Sequence, residues 1–383
     1  MRELFAVTAP GLEPLVAAEL QELGLGPARV TPGGVDFRGD AAALVAANLH
    51  LRTATRVLAR VASFRAATFP ELERGLAAVA WERHAPRGAP LRLAIRASAH
   101  KSRLYHTGAI AERVQQAIGA RLDAPVELLR GEEEDDAAAD RSTLADLLVV
   151  VRLERDLCTV SVDSSGEPLH RRGYRLATAK APLRPSLAAA LLRAAAWRPD
   201  EPLLDPFCGS GTIAVEAALI ARSRPPGALR GFACARWPAL AGAYPALRAR
   251  AERAVETSCP PGQPTIFASD RDPGATQAAR ANAQRAGVAD AIAFATRPFA
   301  ACEPPAPRGL VLTNPPYGLR VGRARTLRDL YAHIGHALKT TFSTWRAAVL
   351  CPPELRVHLG LELRPLLRAR TGGVLVELAL REP

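Results

Sequence analysis

The sequence predicts an α/β protein whose larger part is a mostly parallel sheet that binds a ligand at its strand ends, preceded by a smaller α/β unit. Three stretches carry this expectation. A short apolar run, Pro202 to Leu204, leads into Asp205-Pro206-Phe207-Cys208-Gly209-Ser210-Gly211-Thr212, and an Ala/Ile/Val/Leu run to Ala221 follows. Strand, glycine turn and helix in that order bring backbone N–H groups close to a ligand. A second apolar run, Gly309 to Leu312, reads as a buried parallel strand and ends in Thr313-Asn314-Pro315-Pro316-Tyr317-Gly318. A third, Thr265 to Asp270, closes on an acid of the kind that accepts hydrogen bonds from ribose hydroxyls.

In chain order, Glu3 to Thr8 reads as a strand, and Leu12 to Leu23 as an amphipathic helix with Leu12, Leu15, Val16, Leu20 and Leu23 on one face and Gly24 as its cap. Val30 to Phe37 contains Pro32-Gly33-Gly34, a hairpin pattern, and Ala41 to Leu51 is a second helix. Leu51 to Leu58 reads as a helix carrying Arg52 and Arg56 four residues apart on one face, either a solvated surface or an RNA contact. Leu91 to Ala97 is a strand and Gly108 to Leu122 a helix. Between them lies a basic loop, His100-Lys101-Ser102-Arg103-Leu104-Tyr105-His106, suited to phosphate and base contact or simply to leading into the helix. The acidic run from Glu132 to Asp140 reads as a solvated loop that repels RNA. Leu144 to Leu153 and Leu157 to Ser164 are antiparallel strands.

Leu169-His170-Arg171-Arg172-Gly173-Tyr174-Arg175 is a basic linker suited to tracking a phosphate backbone, the alternative being a hinge whose arginines pair with carboxylates. Ser186 is a candidate cap for a helix over Leu187 to Ala196. Asp270 is the preferred ribose acceptor, with Arg271 and Asp272 beside it; the alternative for Asp272 is to cap the helix that follows. Ala291 to Ala295, Arg346 to Cys351 and Gly373 to Leu380 are further strands, with a helix from Asp329 to Leu338.

The chemistry of Asn314-Pro315-Pro316-Tyr317 follows from its residue types. Two prolines remove two N–H donors and stiffen the loop, which then presents acceptors: the Asn314 side-chain oxygen and the Pro315 carbonyl. Two convergent acceptors suit a planar amino group, and Tyr317 offers a face for a planar base. An exocyclic amine is a poor nucleophile because its lone pair is delocalised. Holding both its hydrogens localises that pair toward an electrophile by positioning rather than by a strong base.

Composition bounds the partners. The chain has 383 residues and a net charge of +12, and only Lys101, Lys180 and Lys339 among its 50 basic residues are lysines. An excess of arginine points to a polyanion, since the guanidinium forks onto phosphate. Six cysteines show no C-x-x-C and no His-paired spacing, so no metal site or disulfide framework is expected, and free thiols fit a cytoplasmic protein. Nothing approaches the ~20 apolar residues of a membrane span, and the first eleven residues have no secretory pattern.

The pair DPFCGSGT and NPPYG, in this order, resembles the class I S-adenosylmethionine-dependent amino-methyltransferases. Ala9-Pro10-Gly11-Leu12-Glu13, Gly34-Val35-Asp36-Phe37 and Leu51-Arg52-Thr53-Ala54-Thr55-Arg56-Val57 are similar to the amino-terminal region of THUMP-containing RNA methyltransferases, and Phe64, Trp81, the 100–106 loop and the HRRGYR linker continue the likeness. The resemblance spans nearly the whole chain. It implies a Rossmann-like methyltransferase domain with a mostly parallel seven-stranded sheet over residues 181–383, a ferredoxin-like region over 1–60, a THUMP RNA-binding domain over 61–167 and a basic linker over 168–180. It implies S-adenosylmethionine as cofactor, held by Pro182, Asp205 to Thr212, Asp270 and Arg271. It implies transfer to an amine held at Asn314, Pro315, Pro316 and Tyr317. RNA contacts are expected at Arg52, Arg56, His100, Lys101, Arg103, His106, Arg171, Arg172, Arg175 and Arg320. The family usually has an adenine-contacting aspartate where this chain has Arg297-Pro298, which weakens cofactor contact or shifts it to a backbone group.

The expected activity is methylation of guanosine N2 in structured RNA by a monomer, with large-subunit rRNA ahead of tRNA as substrate; adenine and cytosine amines fit the same loop. The alternatives are a glutamine amide methyltransferase of release-factor type and a non-enzymatic RNA-binding assembly factor with a relic methyltransferase domain. A DNA adenine enzyme is less favoured, because no target-recognition insertion lies between the motifs.

Overall fold

In the computed structural model, residues 2–129, 144–175, 183–253, 265–317 and 324–383 are described. The acidic run, Pro182 and Arg320 lie outside them. The chain divides into two compact units that interleave along the sequence: Met1–Thr8, Val16–Leu169 and Arg230–Ala254 form the first, and Ala9–Leu15, His170–Leu229 and Val255–Pro383 the second.

The first unit is built on one eight-stranded sheet. Its elements are β1 (Arg2–Val7), α1 (Glu13–Glu22), β2 (Ala28–Thr31), β3 (Gly34–Gly39), α2 (Ala41–His50), β4 (Arg56–Arg65), α3 (Phe69–Ala77), β5 (Leu91–His100), α4 (Thr107–Leu122), β6 (Val126–Leu128), β7 (Leu147–Glu154) and β8 (Leu157–Asp163). The strand order is β2-β3-β1-β4-β8-β7-β5-β6. The hairpin expected at Pro32-Gly33-Gly34 is the antiparallel β2–β3 pair, with Gly33 at φ 85°. The core packs Leu4, Leu20, Leu44, Val57, Leu72, Trp81, Ile110, Val149 and Val160 between the sheet and its helices.

Three expectations are corrected in this unit. The expected helix over Leu51 to Leu58 is a turn followed by β4. Thr53, Thr55 and Val57 are β-branched and favour extended backbone, and Thr55 donates its N–H to the Val7 carbonyl at 2.7 Å. Arg56 therefore turns inward, 5% exposed, onto Asp163 at 2.6 Å instead of sharing an outer face with Arg52. The boundary between residues 60 and 61 falls inside β4, so the two expected amino-terminal domains share a single sheet. The stretch around Phe232 and Trp237, assigned above to the catalytic domain, also packs here with Leu169 and the later helix Tyr244–Arg253 (α7). The apolar pattern of that stretch marks it as core without saying of which unit.

The second unit holds α5 (Pro185–Ala194), β9 (Leu203–Asp205), α6 (Thr212–Ala221), β10 (Ile266–Asp270), α8 (Pro273–Ala286), β11 (Ile292–Thr296), β12 (Leu310–Thr313), α9 (Ala324–Lys339), β13 (Arg346–Cys351), β14 (Arg364–Thr371) and β15 (Val374–Arg381). Its seven strands run in the order β11-β10-β9-β12-β13-β15-β14, parallel from β11 to β13 and antiparallel at β15 and β14. This is the class I methyltransferase fold. Successive strands step outward from β9 in one direction through β10 and β11, and in the other from β12, so the switch point lies between β9 and β12. The α5 helix starts at Pro185, its pre-set φ suiting the first helical position, so Ser186 sits within the first turn and is not the cap. The edge strand β14 was not anticipated, because Pro365 and its charged residues mask a strand pattern.

No helix among the described residues is long and apolar enough to cross a membrane. The described residues contain no cluster of His, Cys, Asp or Glu able to hold a metal ion.

Candidate active site

The two motifs meet because β9 and β12 are hydrogen-bonded neighbours, Leu203 facing Leu310 and Leu204 facing Val311. Asp205 ends the first strand and Thr313 the second. Asp205 is 1% exposed and accepts a hydrogen bond from the Thr313 hydroxyl at 2.9 Å and from the Phe207 N–H at 3.3 Å. Burial, helped by the nearby Asp270 charge, raises its carboxyl to about 7.

The glycine turn follows. Gly209 and Gly211 have φ of 51° and 80°, the left-handed region that side chains resist. A Cβ on Gly211 would lie 2.8 Å from that of Ala279 on α8, whereas one on Gly209 would meet no atom within 4 Å. The turn is thus pressed against α8 at Gly211 and open at Gly209. Cys208 donates its N–H to the Ser269 carbonyl at 2.9 Å and Gly211 to that of Cys208 at 2.7 Å. The Asn282 side chain donates to the Ser210 carbonyl at 3.0 Å. Burial pushes the Cys208 thiol far above its ordinary value, so it is packing and not a nucleophile.

Asp270 ends β10 beside this turn. One carboxylate oxygen accepts the Gly209 N–H at 3.0 Å and the other the Asp272 N–H at 3.0 Å. Each keeps a further lone pair for a hydroxyl donor. Arg271 is exposed, and Asp272 caps α8 by accepting from Gly274 at 2.8 Å. At the missing aspartate, Arg297 donates its backbone N–H to the Asp270 carbonyl at 2.9 Å while its side chain is exposed. Phe299 packs against Phe207 with ring centres 5.4 Å apart.

Asn314 follows Thr313 directly. Its side-chain oxygen is buried and accepts no hydrogen bond among the described residues. An orphaned acceptor of this kind costs on the order of 1–3 kcal/mol unless a ligand supplies the donor. Pro315 is buried, and Pro316 and Tyr317 are half-buried. Burial pushes the Tyr317 hydroxyl above its ordinary value, against the pull of the Thr371 and Asn314 side chains.

The expected RNA-contacting residues divide. In the first unit His100, Lys101, Arg103 and His106 are exposed, with Tyr105 67% exposed and its ring 4.2 Å from that of His106. Asp156 braces this loop, accepting the Arg103 N–H at 2.8 Å and donating its own to Ser102 at 3.1 Å. Arg155 joins through a 3.1 Å bond from its N–H to the His100 carbonyl. Arg52 is half-buried. In the linker, Arg171 is exposed, but Arg172 is 2% exposed and lies 3.4 Å from the buried Glu216. Tyr174, 1% exposed, donates to Glu216 at 3.1 Å, and Arg175 donates to the Leu183 carbonyl at 2.6 Å. The linker is therefore folded into the second unit, and its arginines answer a carboxylate and a carbonyl. Nothing in the local sequence shows that Glu216, in the middle of an apolar helix, is their partner.

Residues 172–357 match the family described as the RMKL-like methyltransferase domain, and residues 3–58 the RlmL ferredoxin-like domain. The chain is 38% identical to YpsC of Bacillus subtilis (strain 168), provisionally named an RNA methyltransferase, over 92% of this chain and 88% of that one. The chain belongs to the RMKL-like methyltransferase family. It is also 36% identical to the ribosomal RNA large subunit methyltransferase K/L of Syntrophotalea carbinolica, over 97% of its own length but only 52% of that relative, so it spans about half of it. Among solved structures, SMU.472, a provisionally named methyltransferase crystallised with SAH (S-adenosylhomocysteine), superposes with a TM-score of 0.84 and 29% identity, covering all of this chain and 98% of that one. An RMKL-like enzyme transfers methyl groups, and its cofactor in this fold is S-adenosylmethionine. The turn open at Gly209 and the Asp270 carboxylate, whose oxygens keep lone pairs for hydroxyl donors, fit such a molecule. Thr313, Asn282 and Glu216 support the site without having been singled out for it.

Proposed function

We propose that this protein methylates the exocyclic N2 amine of a guanosine in structured RNA, large-subunit rRNA before tRNA. The buried, unpartnered oxygen of Asn314 carries the reading. It is an acceptor waiting for an N–H, on a rigid loop beside the cofactor turn. The target base leaves its stack, at a cost of a few kcal/mol, and lies on Tyr317. Asn314 and the Pro315 carbonyl take the two amine hydrogens. The lone pair then faces the methyl group that the sulfonium supplies. No side chain needs to remove a proton before transfer, because the amine is neutral; as the N–C bond formed by in-line positioning, the methyl–sulfur bond would break to leave S-adenosylhomocysteine, and the methylated nitrogen would release its extra proton to water.

On the cofactor side, Asp270 takes the ribose hydroxyls, Gly209 leaves room for the close approach, and Phe207 with Phe299 forms the apolar wall. No acid stands at Arg297, so the adenine amino group would be held more weakly or by a backbone carbonyl. RNA is held through the exposed His100, Lys101, Arg103 and His106, with Tyr105 available for stacking, and through Arg171. Arg56 and Arg172 are excluded from this surface by burial. The names of YpsC and of the K/L enzyme support an RNA substrate.

Transfer of label from S-adenosylmethionine to rRNA, tRNA and total protein from cells lacking the gene tests this. Digestion identifies the product. N2-methylguanosine in one RNA fraction, absent with Asn314→Ala, is the expected result. Label in protein, or tight RNA binding with no transfer to any acceptor, overturns it in favour of the amide enzyme or the assembly factor.

A further inference from the structure

Arg285 and Asn282 lie three residues apart on one face of α8 and form a chain of bonds ending on the glycine turn. Arg285 donates through Nε to the Tyr174 carbonyl at 2.8 Å and through Nη2 to Oδ1 of Asn282. Asn282 donates through Nδ2 to the Ser210 carbonyl at 3.0 Å. At the far end, Arg172 and the Tyr174 hydroxyl grip Glu216, which is 0% exposed on α6, the helix that starts from the glycine turn. The bonds close a ring: Tyr174, Glu216, α6, the turn, Ser210, Asn282, Arg285 and back to Tyr174.

We propose that Arg285 and Asn282 are positioning residues for the cofactor, and that their task is to hold the Ser210 carbonyl so that the Gly209–Gly211 turn stays open. The ring explains why Arg285 is an arginine and not a lysine. Its planar fork offers two donors in fixed directions, one for each acceptor. By donating to Oδ1, it also sets which way the Asn282 amide faces. Only that orientation turns Nδ2 toward Ser210; the flipped amide would set oxygen against oxygen. The turn needs such a brace because it holds two left-handed residues and its helix has no side-chain cap. The inference rests on the cofactor reading of the glycine turn and is independent of the RNA.

The test is SAH binding to the full-length protein by calorimetry, with melting temperature measured in parallel. Loss of one oriented hydrogen bond is expected to weaken SAH about tenfold in Arg285→Ala. Arg285→Lys should recover little, since a point charge does not hold both acceptors, and it carries the test if the alanine variant does not fold. Asn282→Asp, which faces Ser210 with an oxygen, should lose affinity similarly. If the Arg285 and Asn282 variants melt earlier while their folded fractions bind SAH as tightly as the wild type, the ring is structural only and the proposal falls. A wild-type protein that binds no SAH would instead overturn the cofactor reading.

Discussion

Asp205 and Thr313, 108 residues apart in the sequence, share a 2.9 Å hydrogen bond inside the sheet. It joins the residue that opens the glycine turn to the one that immediately precedes Asn314. Thr313→Val keeps shape and burial but removes the donor. Among the described residues, Asp205 then keeps only the longer bond from Phe207. An under-satisfied buried carboxyl costs about 1–3 kcal/mol, so the melting temperature should fall. Methyl transfer should drop about tenfold or more through Asn314 misplacement, with SAH affinity less affected. Equal losses in SAH binding and transfer would show that the bond serves the cofactor side alone.

The same carboxyl makes stability depend on pH. Its ordinary value of 3.8 is raised to about 7 in the folded protein, chiefly by burial. The folded state therefore holds a proton that the unfolded chain releases in that interval. The resulting stabilisation is fully present below 3.8 and is lost as the pH rises through about 7. It is on the order of a few kcal/mol. Melting temperature should decline from about pH 5 to about pH 8 in the wild type. The decline should flatten in Asp205→Asn, which has no proton to lose. A parallel decline in both proteins would place the titrating group elsewhere.

The two glycines of the turn should fail in different ways. Gly211→Ala forces a Cβ to 2.8 Å from Ala279 and keeps a left-handed φ of 80°. α8 must shift, and the protein should lose stability by roughly 2 kcal/mol or more. Gly209→Ala meets no protein atom within 4 Å and bears only the backbone strain at φ 51°, about 1 kcal/mol. With the cofactor over the turn as proposed, its methyl group would enter that space, so SAH affinity should fall while melting changes little. Unchanged SAH binding in Gly209→Ala would argue that the cofactor does not approach the turn there.

Much of the second unit was legible because its functional parts are local. A strand, a glycine turn and a helix are contiguous in the chain, and the acid at Asp270 and the Asn-Pro-Pro-Tyr loop stand at strand ends that apolar runs reveal. What failed was non-local. Arg52 and Arg56 fit a helical face until Thr55 pairs with Val7 and Arg56 finds Asp163, 107 residues away. The linker arginines look like a phosphate track because nothing in their neighbourhood shows Glu216 beneath them. Phe232 and Trp237 announce burial, but their partners lie in the unit that the chain had already left. Pairing between distant charges and interleaving of units are decided by packing, and local periodicity carries no record of either.

The exposed loop of the first unit gives the last prediction. His100, Lys101, Arg103, His106 and Arg155 are exposed, and Asp156 fixes the backbone that carries them. Phosphate contacts of this kind release counterions, so affinity falls linearly with salt on a logarithmic scale, by about 0.9 per contact on a duplex and 0.7 on a single strand. Lys101→Ala with Arg103→Ala should therefore weaken RNA binding at low salt and reduce the salt slope by about 1–2. SAH affinity should not move, because the loop carries none of the groups proposed to hold the cofactor. Tyr105→Ala should weaken binding without altering the slope, since stacking displaces no counterion. An unchanged slope in the double variant would mean that RNA is gripped elsewhere, and Arg171 would be the next residue to test.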